Sequence, residues 1–242
     1  FYYDLDSLKI HLESMASILD PDIKLWYACK ANPMSAILKV LRNLNFGIDF
    51  ASSGELHQIL NAGIKPNELI ATGPSKSKKY LEHLIKNGVE NIVLESLNQV
   101  LWLNEVCKEQ NIKVNALLRL QLDWDEGKSV LGGNSVTPFG LDHNEWKKLN
   151  PQKFEYINFV GFHIFQWGNI LDVKRLETIW EKCIIEAQAL SETLSIEMDI
   201  IDLGGESTKP GSKAISIKKE WNRIKKTIKK IDKKIPLSLD TR

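Results

Sequence analysis

Lys30 ends an apolar run, Trp26-Tyr-Ala-Cys-Lys30, and is followed by Ala-Asn-Pro33. Burying an ammonium is costly and lowers its pKa, so a lysine in this setting is paired, led out to water, or used as an amine nucleophile. Position alone favours a rim lysine reaching water. Other polar and glycine residues gather at the ends of apolar runs in the same way: Asp49 with Ser52-Ser53-Gly54, Gly73-Pro74, Glu95-Ser96, Arg119, His163 and Gly204-Gly205. Taken singly, His163 reads as a satisfied core or rim histidine and Gly204-Gly205 as a tight turn after a strand. Further along, Asp240 and Thr241 could end a strand and begin a capped helix.

The elements that must position these residues alternate in type. Short runs rich in Val, Ile, Leu and Phe are separated by amphipathic stretches, the pattern of βα units around a parallel sheet. Strands are predicted over 24–30, 47–51, 69–72, 91–94, 114–120, 159–165, 199–203 and 236–239. Eight strands close a (β/α)8 barrel, whose active sites form at the C-terminal strand ends, and the gathered polar residues then share one rim. The fold class expected is α/β, a single (β/α)8 TIM-type barrel over residues 1–242. Leu5, Leu8, Leu12 and Met15 recur at helical spacing near the start. Ile217, Trp221, Ile224, Ile228 and Ile231 do so near the end, with Ser216 as the expected N-cap. The lysines on the opposite face of that last helix read as a solvated face rather than a nucleic-acid surface, because no aromatic residues interleave with them. Residues 121–137 read as an irregular stretch, either a mobile active-site loop or a long βα connection that needs no special function.

Bulk composition excludes several classes of function. The 242 residues carry 32 basic and 31 acidic side chains, a net charge of +1, so no global field draws nucleic acid or an acidic membrane. Cys29, Cys107 and Cys183 are odd in number and widely spaced, which argues against a disulfide framework or zinc site and fits a reducing, cytoplasmic setting. No apolar run approaches the roughly 20 residues of a membrane-spanning helix. No metal site is expected. Phe1 and Arg242 at the ends suggest a fragment.

Several motifs come in one family's order and spacing: Phe1-Tyr-Tyr-Asp4, Tyr27-Ala-Cys-Lys30-Ala-Asn-Pro33, Gly47-Ile-Asp-Phe-Ala-Ser-Ser-Gly-Glu55, Thr72-Gly-Pro-Ser-Lys-Ser77, Leu118-Arg119-Leu120, Pro138-Phe-Gly140 and Gly161-Phe-His-Ile164. Residues 1–205 resemble the barrel domain of the pyridoxal-phosphate-dependent ornithine, diaminopimelate and arginine decarboxylases, with the alanine-racemase-like fold. The resemblance implies pyridoxal 5'-phosphate as cofactor, Lys30 as its Schiff-base residue and His163 stacked on its ring. It also implies Asp49 and Arg119 lining the cofactor pocket and Gly204-Gly205 beginning a phosphate loop, where backbone N–H groups reach an anion. Glu206 stands where the family has a third glycine, and Phe165-Gln-Trp-Gly168 differs from its glycine- and serine-rich version. The family's second, mostly β domain is expected to be absent, which implies weak or no turnover by this chain alone. Its partners would be a small-molecule amino acid and, in a homodimer, a second copy.

The segment 199–242 resembles dihydropteroate synthase, through Asp199-Ile-Ile-Asp-Leu-Gly-Gly-Glu-Ser-Thr-Lys-Pro-Gly-Ser212 and Ile235-Pro-Leu-Ser-Leu-Asp-Thr-Arg242. That resemblance implies Thr208 and Lys209 at a diphosphate and Asp240 on a pterin ring. Together the two imply a chimera, with residues 1–205 decarboxylase-like, 206–242 synthase-like, and the eighth strand from the second parent. Asp240 would then also stand in for the decarboxylase group facing the cofactor's ring nitrogen. The alternatives to a decarboxylase-type barrel are a non-catalytic cofactor-binding or structural barrel and a pterin-binding fragment.

Overall fold

The computed structural model describes residues 2–18, 23–122, 137–165, 173–204 and 237–241. The apolar runs become eight strands: β1 (Ile23–Ala28), β2 (Gly47–Phe50), β3 (Leu69–Ala71), β4 (Asn91–Leu94), β5 (Val114–Arg119), β6 (Ile157–Ile164), β7 (Ile200–Gly204) and β8 (Leu237–Thr241). Every neighbouring pair is parallel, and β8 pairs with both β7 and β1 to close the barrel. Between the strands run α1 (Leu5–Ile18), which leads the chain, α2 (Ser35–Asn43), α3 (Ser53–Asn61), α4 (Lys78–Lys86), α5 (Leu97–Gln110), α6 (His143–Trp146) and α7 (Val173–Leu194). In α1 the expected stripe holds: Leu12 is buried, and Leu5, Leu8 and Met15 pack against the core. The predicted helix around 217–231 with its cap Ser216, and residues 123–136 of the irregular connection, lie outside the described residues.

The serines that follow three strands are helix caps. Ser52, Ser77 and Ser96 accept hydrogen bonds from the backbone N–H groups of Glu55, Tyr80 and Gln99 and so start α3 and α5 just beyond β2 and β4, and α4 after the loop that follows β3. Glu55 Oε2 in turn accepts from the Ala51 N–H at 2.7 Å. One boundary differs from expectation in a way that bears on the site. β1 ends at Ala28, and Lys30 sits in the 3-10 turn Cys29–Ala31 rather than in the strand. Asn32 precedes Pro33 and is held extended (φ −164°), so the chain leaves the sheet there and Lys30 is exposed.

Side chains alternate between two apolar layers, as strand geometry requires. Outward residues such as Ile48, Ile92, Leu118 and Phe162 join the helices in one continuous core. Inward residues Trp26, Ile70, Val93, Leu117 and Val160 fill the barrel, with Ile200 packed against them. Gly47 faces Trp26 across the β1–β2 pair, and a Cβ there would overlap the indole. An asparagine ladder links the N-terminal parts of β3 to β6: Asn158 donates to Asn115 Oδ1 (3.1 Å), Asn115 to Asn91 Oδ1 (3.2 Å), and Asn91 to the Leu69 carbonyl (3.3 Å).

β6 breaks the alternation. Ala116 pairs with Phe159 but Leu117 pairs with Gly161, so one extra residue enters β6 at Val160. A bulge of this kind exchanges the inward and outward faces beyond it. Without it, the parity that turns Val160 inward would also turn Phe162 inward; with it, Phe162 and Ile164 join the outer core and His163 faces the barrel. Gly161 has φ +146°, and a Cβ on it would overlap the Ile200 carbonyl oxygen. Gly161→Ala is therefore expected to lose about 2–4 kcal/mol in urea melts. Gly54→Ala, where a Cβ meets nothing within 4 Å on a helix, is expected to be neutral or gain up to about 1 kcal/mol. Equal effects at the two positions would contradict this account of the bulge.

Candidate active site

Two residues beyond the apolar layer, the same inward parity places a ring of polar side chains at the C-terminal strand ends. Asp49, Thr72, Glu95, Arg119, His163 and Asp202 are all buried, and Lys76 reaches the same region from the loop after β3. Buried polar groups must find partners, and these pair with one another. Thr72 Oγ1 donates to Asp49 Oδ1 at 2.6 Å, across from β3 to β2. His163 Nδ1 and Asp202 Oδ2 are 2.7 Å apart, across from β6 to β7. Arg119 Nη1 donates to Glu95 Oε1 at 3.3 Å, across from β5 to β4.

Each pair is positioned by its backbone. Arg119 is fixed from behind: its carbonyl accepts from Trp146 Nε1 (2.8 Å) and from the Leu141 N–H (3.1 Å). Gly140, at φ +88°, lies so close that a Cβ would overlap that carbonyl, which is why Pro138-Phe-Gly140 needs its glycine. The Phe139 ring lies 4.9 Å from the guanidinium carbon, a cation–π contact. His163 owes its direction to the bulge, and Asp202 holds the ring by accepting from Nδ1. That contact assigns the Nδ1 proton and leaves Nε2 as the other reactive nitrogen.

Lys30 projects from the turn after β1 with its Nζ 6.0 Å from the Phe165 ring centroid, just beyond the end of β6. Burial pushes the Asp49 carboxyl above its ordinary range; the Thr72 hydroxyl and the nearby His163 and Lys30 charges oppose that shift, while Asp202 adds to it. Lys30, Asp49, His163 and Asp202 thus share one electrostatic neighbourhood. Cys29, next to Lys30, is buried and its thiol is pushed up to about 12, chiefly by burial, so it offers no thiolate near neutral pH.

The expected residues Lys30, Asp49, Arg119 and His163 therefore meet at one mouth. Gly204 ends β7, and Asp240 pairs in register with Gly204 and Trp26 as a strand residue of β8. Gly205, Thr208 and Lys209 lie outside the described residues, as does Glu206. Thr72, Lys76, Glu95 and Asp202 were not among the residues expected to touch a cofactor. A rule would have found three of them, since each stands two residues beyond an inward apolar residue: Ile70, Val93 and Ile200. Lys76 sits in a loop, where no periodicity points to it. Among the described residues, no group of three His, Cys, Asp or Glu side chains is arranged to hold a metal ion, and no helix is long and apolar enough to cross a membrane.

The donor set can be tested against pyridoxal phosphate, which presents an aldehyde, an aromatic ring and anionic oxygens. Lys30 offers an exposed primary amine beside the mouth, His163 a flat ring held by Asp202, and Arg119 and Lys76 positive charge. Glu95 Oε2 is buried without a partner. The two cations suit its anionic oxygens and the exposed Lys30 amine suits its aldehyde, so the residues present fit the group.

Comparison with known proteins agrees. The pyridoxal-dependent decarboxylase family, through its pyridoxal binding domain, matches residues 5–237. A Staphylococcus aureus decarboxylase named for a 2-hydroxybutanedioate derivative is 29% identical over 209 residues, 85% of this chain and 52% of the relative. Diaminopimelate decarboxylase of Campylobacter jejuni is 29% identical over 188 residues, 75% of this chain and 46% of its own length. The crystal structure of Helicobacter pylori diaminopimelate decarboxylase complexed with L-lysine superposes with a TM-score of 0.83 at 22% identity, covering 98% of this chain and 61% of that one. The chain spans about half the length of the curated relatives it matches. The family match runs unbroken through 199–205 and nearly to the end, so the expected chimera, with a dihydropteroate-synthase-like part and a pterin site, finds no support. The chain belongs to the pyridoxal-dependent decarboxylase family, whose pyridoxal-binding barrel it forms and whose cofactor is pyridoxal 5'-phosphate.

Proposed function

We propose that this barrel is the cofactor-holding part of an amino-acid decarboxylase and that Lys30 is the amine that takes the aldehyde of pyridoxal phosphate. The observation that carries the reading is the exposed Lys30 amine set beside a buried ring of paired polar groups at the barrel mouth. When bound, pyridoxal phosphate supplies the sink for the electron pair released as an amino acid loses CO2. The chain's residues hold and orient. Arg119 binds an anionic oxygen with the N–H groups that Glu95 leaves untaken. His163, with its Nδ1 proton fixed on Asp202, presents a ring face and Nε2 to the guest. Asp49, kept largely from solvent, sets the charge balance below Lys30. Gly204 begins the backbone that would reach the phosphate.

The substrate is proposed to be an amino acid with a polar or charged side chain. Support comes from relatives' names and complexes: diaminopimelate decarboxylases, an H. pylori structure with L-lysine, and a Vibrio vulnificus lysine/ornithine decarboxylase with putrescine. The relatives are about twice as long, so turnover by these residues alone is proposed to be weak.

Pyridoxal phosphate added to the purified protein and fixed with borohydride should leave one modified lysine on peptide mapping, Lys30. Lys30→Ala should lose the label and the visible absorption band; scattered labelling of surface lysines would contradict the assignment. A second expectation concerns Asp49. Its carboxyl has an ordinary pKa of 3.8 when exposed and a higher one in the fold. The folded chain therefore keeps a proton that the unfolded chain has released. The stability that proton contributes is full below 3.8 and is lost as pH rises through the folded value. In cofactor-free protein, Asp49→Asn should gain stability relative to wild type as pH rises from about 4 to 7. A difference between the two urea midpoints that stays constant over that range would contradict it.

A further inference from the structure

Lys76 is the outlier among the buried charges. Lysine is rarely enclosed, because its ammonium gives up strong hydration, yet Lys76 is only 2% exposed. It reaches inward from the loop between β3 and α4, donates to the Gly73 carbonyl, and lies 3.8 Å from Glu95 Oε1. Arg119 Nη1 meets the same oxygen at 3.3 Å. Two cations thus converge on one oxygen of one carboxylate, whose other oxygen is buried without a partner. Glu95 is itself held in place: its N–H donates to Gln99 Oε1 at 2.9 Å, and Gln99 Nε2 donates to the Pro74 carbonyl at 2.9 Å.

An isolated arginine and carboxylate favour a two-point fork, in which each largely cancels the other. Here the contact is single-point, and the group of three carries one negative and two positive charges. Lys76 is pushed down to about 8, chiefly by burial, with Glu95 opposing that, so it remains mostly charged at neutral pH. These three side chains together therefore keep one net positive charge, and of the two cations it is Arg119 that lies on a strand end facing the mouth.

We propose that Lys76 is a positioning residue for cofactor binding: by offsetting Glu95 from the loop side, it keeps the charge and free N–H donors of Arg119 available to an anionic oxygen of pyridoxal phosphate. The inference rests on the reading of the mouth as the cofactor site. It differs from a loop clamp, in which Lys76 would matter only for holding Gly73 to Lys76 in place.

The test is titration of the purified protein with pyridoxal phosphate, followed by visible absorbance and tryptophan fluorescence, with urea melts of each variant. Lys76→Met should bind about tenfold more weakly, with a displaced absorption maximum, and Lys76→Arg should restore both. The double variant Lys76→Met with Glu95→Gln removes both charges, leaves Arg119 uncancelled, and should recover most of the affinity. That variant also carries the test if Lys76→Met alone does not fold. Wild-type affinity and spectrum in Lys76→Met, or a folded double variant that binds no better than about tenfold below wild type, would overturn the proposal. Failure of the wild-type protein itself to bind pyridoxal phosphate would instead bring down the cofactor reading, and this inference with it.

Discussion

At Val160 and Gly161, β6 takes in one extra residue, and from there its two faces exchange. The apolar side of the strand before the bulge and the histidine after it both point into the barrel, an arrangement that regular alternation forbids. Only a residue without a Cβ fits, because φ is +146° and the Ile200 carbonyl lies against it. His163 reaches Asp202 as a result, and the ring of polar groups closes between β5 and β7. Moving that extra residue would put Phe162 in the mouth and His163 in the helix-facing core, and no other change to the barrel would be needed to lose the site.

The mouth is a problem in buried charge. Asp49, Glu95 and Asp202 meet Arg119, Lys76 and His163 at low exposure, where unpaired charges are costly. The pairing is arranged strand to neighbouring strand: β2 with β3, β4 with β5, β6 with β7. Each bond therefore also ties two strand ends together. For Asp49 and Lys76 burial outweighs the partners, and Thr72 offers Asp49 a single hydroxyl rather than a cation. Lys30 stands above this layer in solvent, so its amine is accessible while the groups below it are fixed.

The periodicity of the sequence was enough to locate all eight strands and the rim they share, because parallel barrel strands are apolar on both faces and end at polar residues. Lys30, Asp49, Arg119 and His163 were legible through their motifs. Ser52, Ser77 and Ser96 are helix caps, a local role that a strand-end position does not distinguish from chemistry. The turn that lifts Lys30 out of β1 depends on Pro33 acting through Asn32, and the bulge depends on contacts with β5 and β7; neither is a property of a short window. Lys76 was hidden because its burial depends on Glu95, which the fold brings to it from the next strand. Of the two motifs read as a second parent, 199–212 and 235–242, the first shares its Asp202-Leu-Gly-Gly205 with the decarboxylase pattern, and a short shared motif cannot separate two barrel families.

The central claim is that this mouth holds pyridoxal phosphate through Lys30. A crystal structure of the protein grown with pyridoxal phosphate tests it most directly. The account predicts cofactor density continuous with Lys30 Nζ, beside the His163 ring and within hydrogen-bond reach of Arg119. Density for the cofactor elsewhere on the chain, or attached to another lysine with the mouth left to solvent, would contradict it.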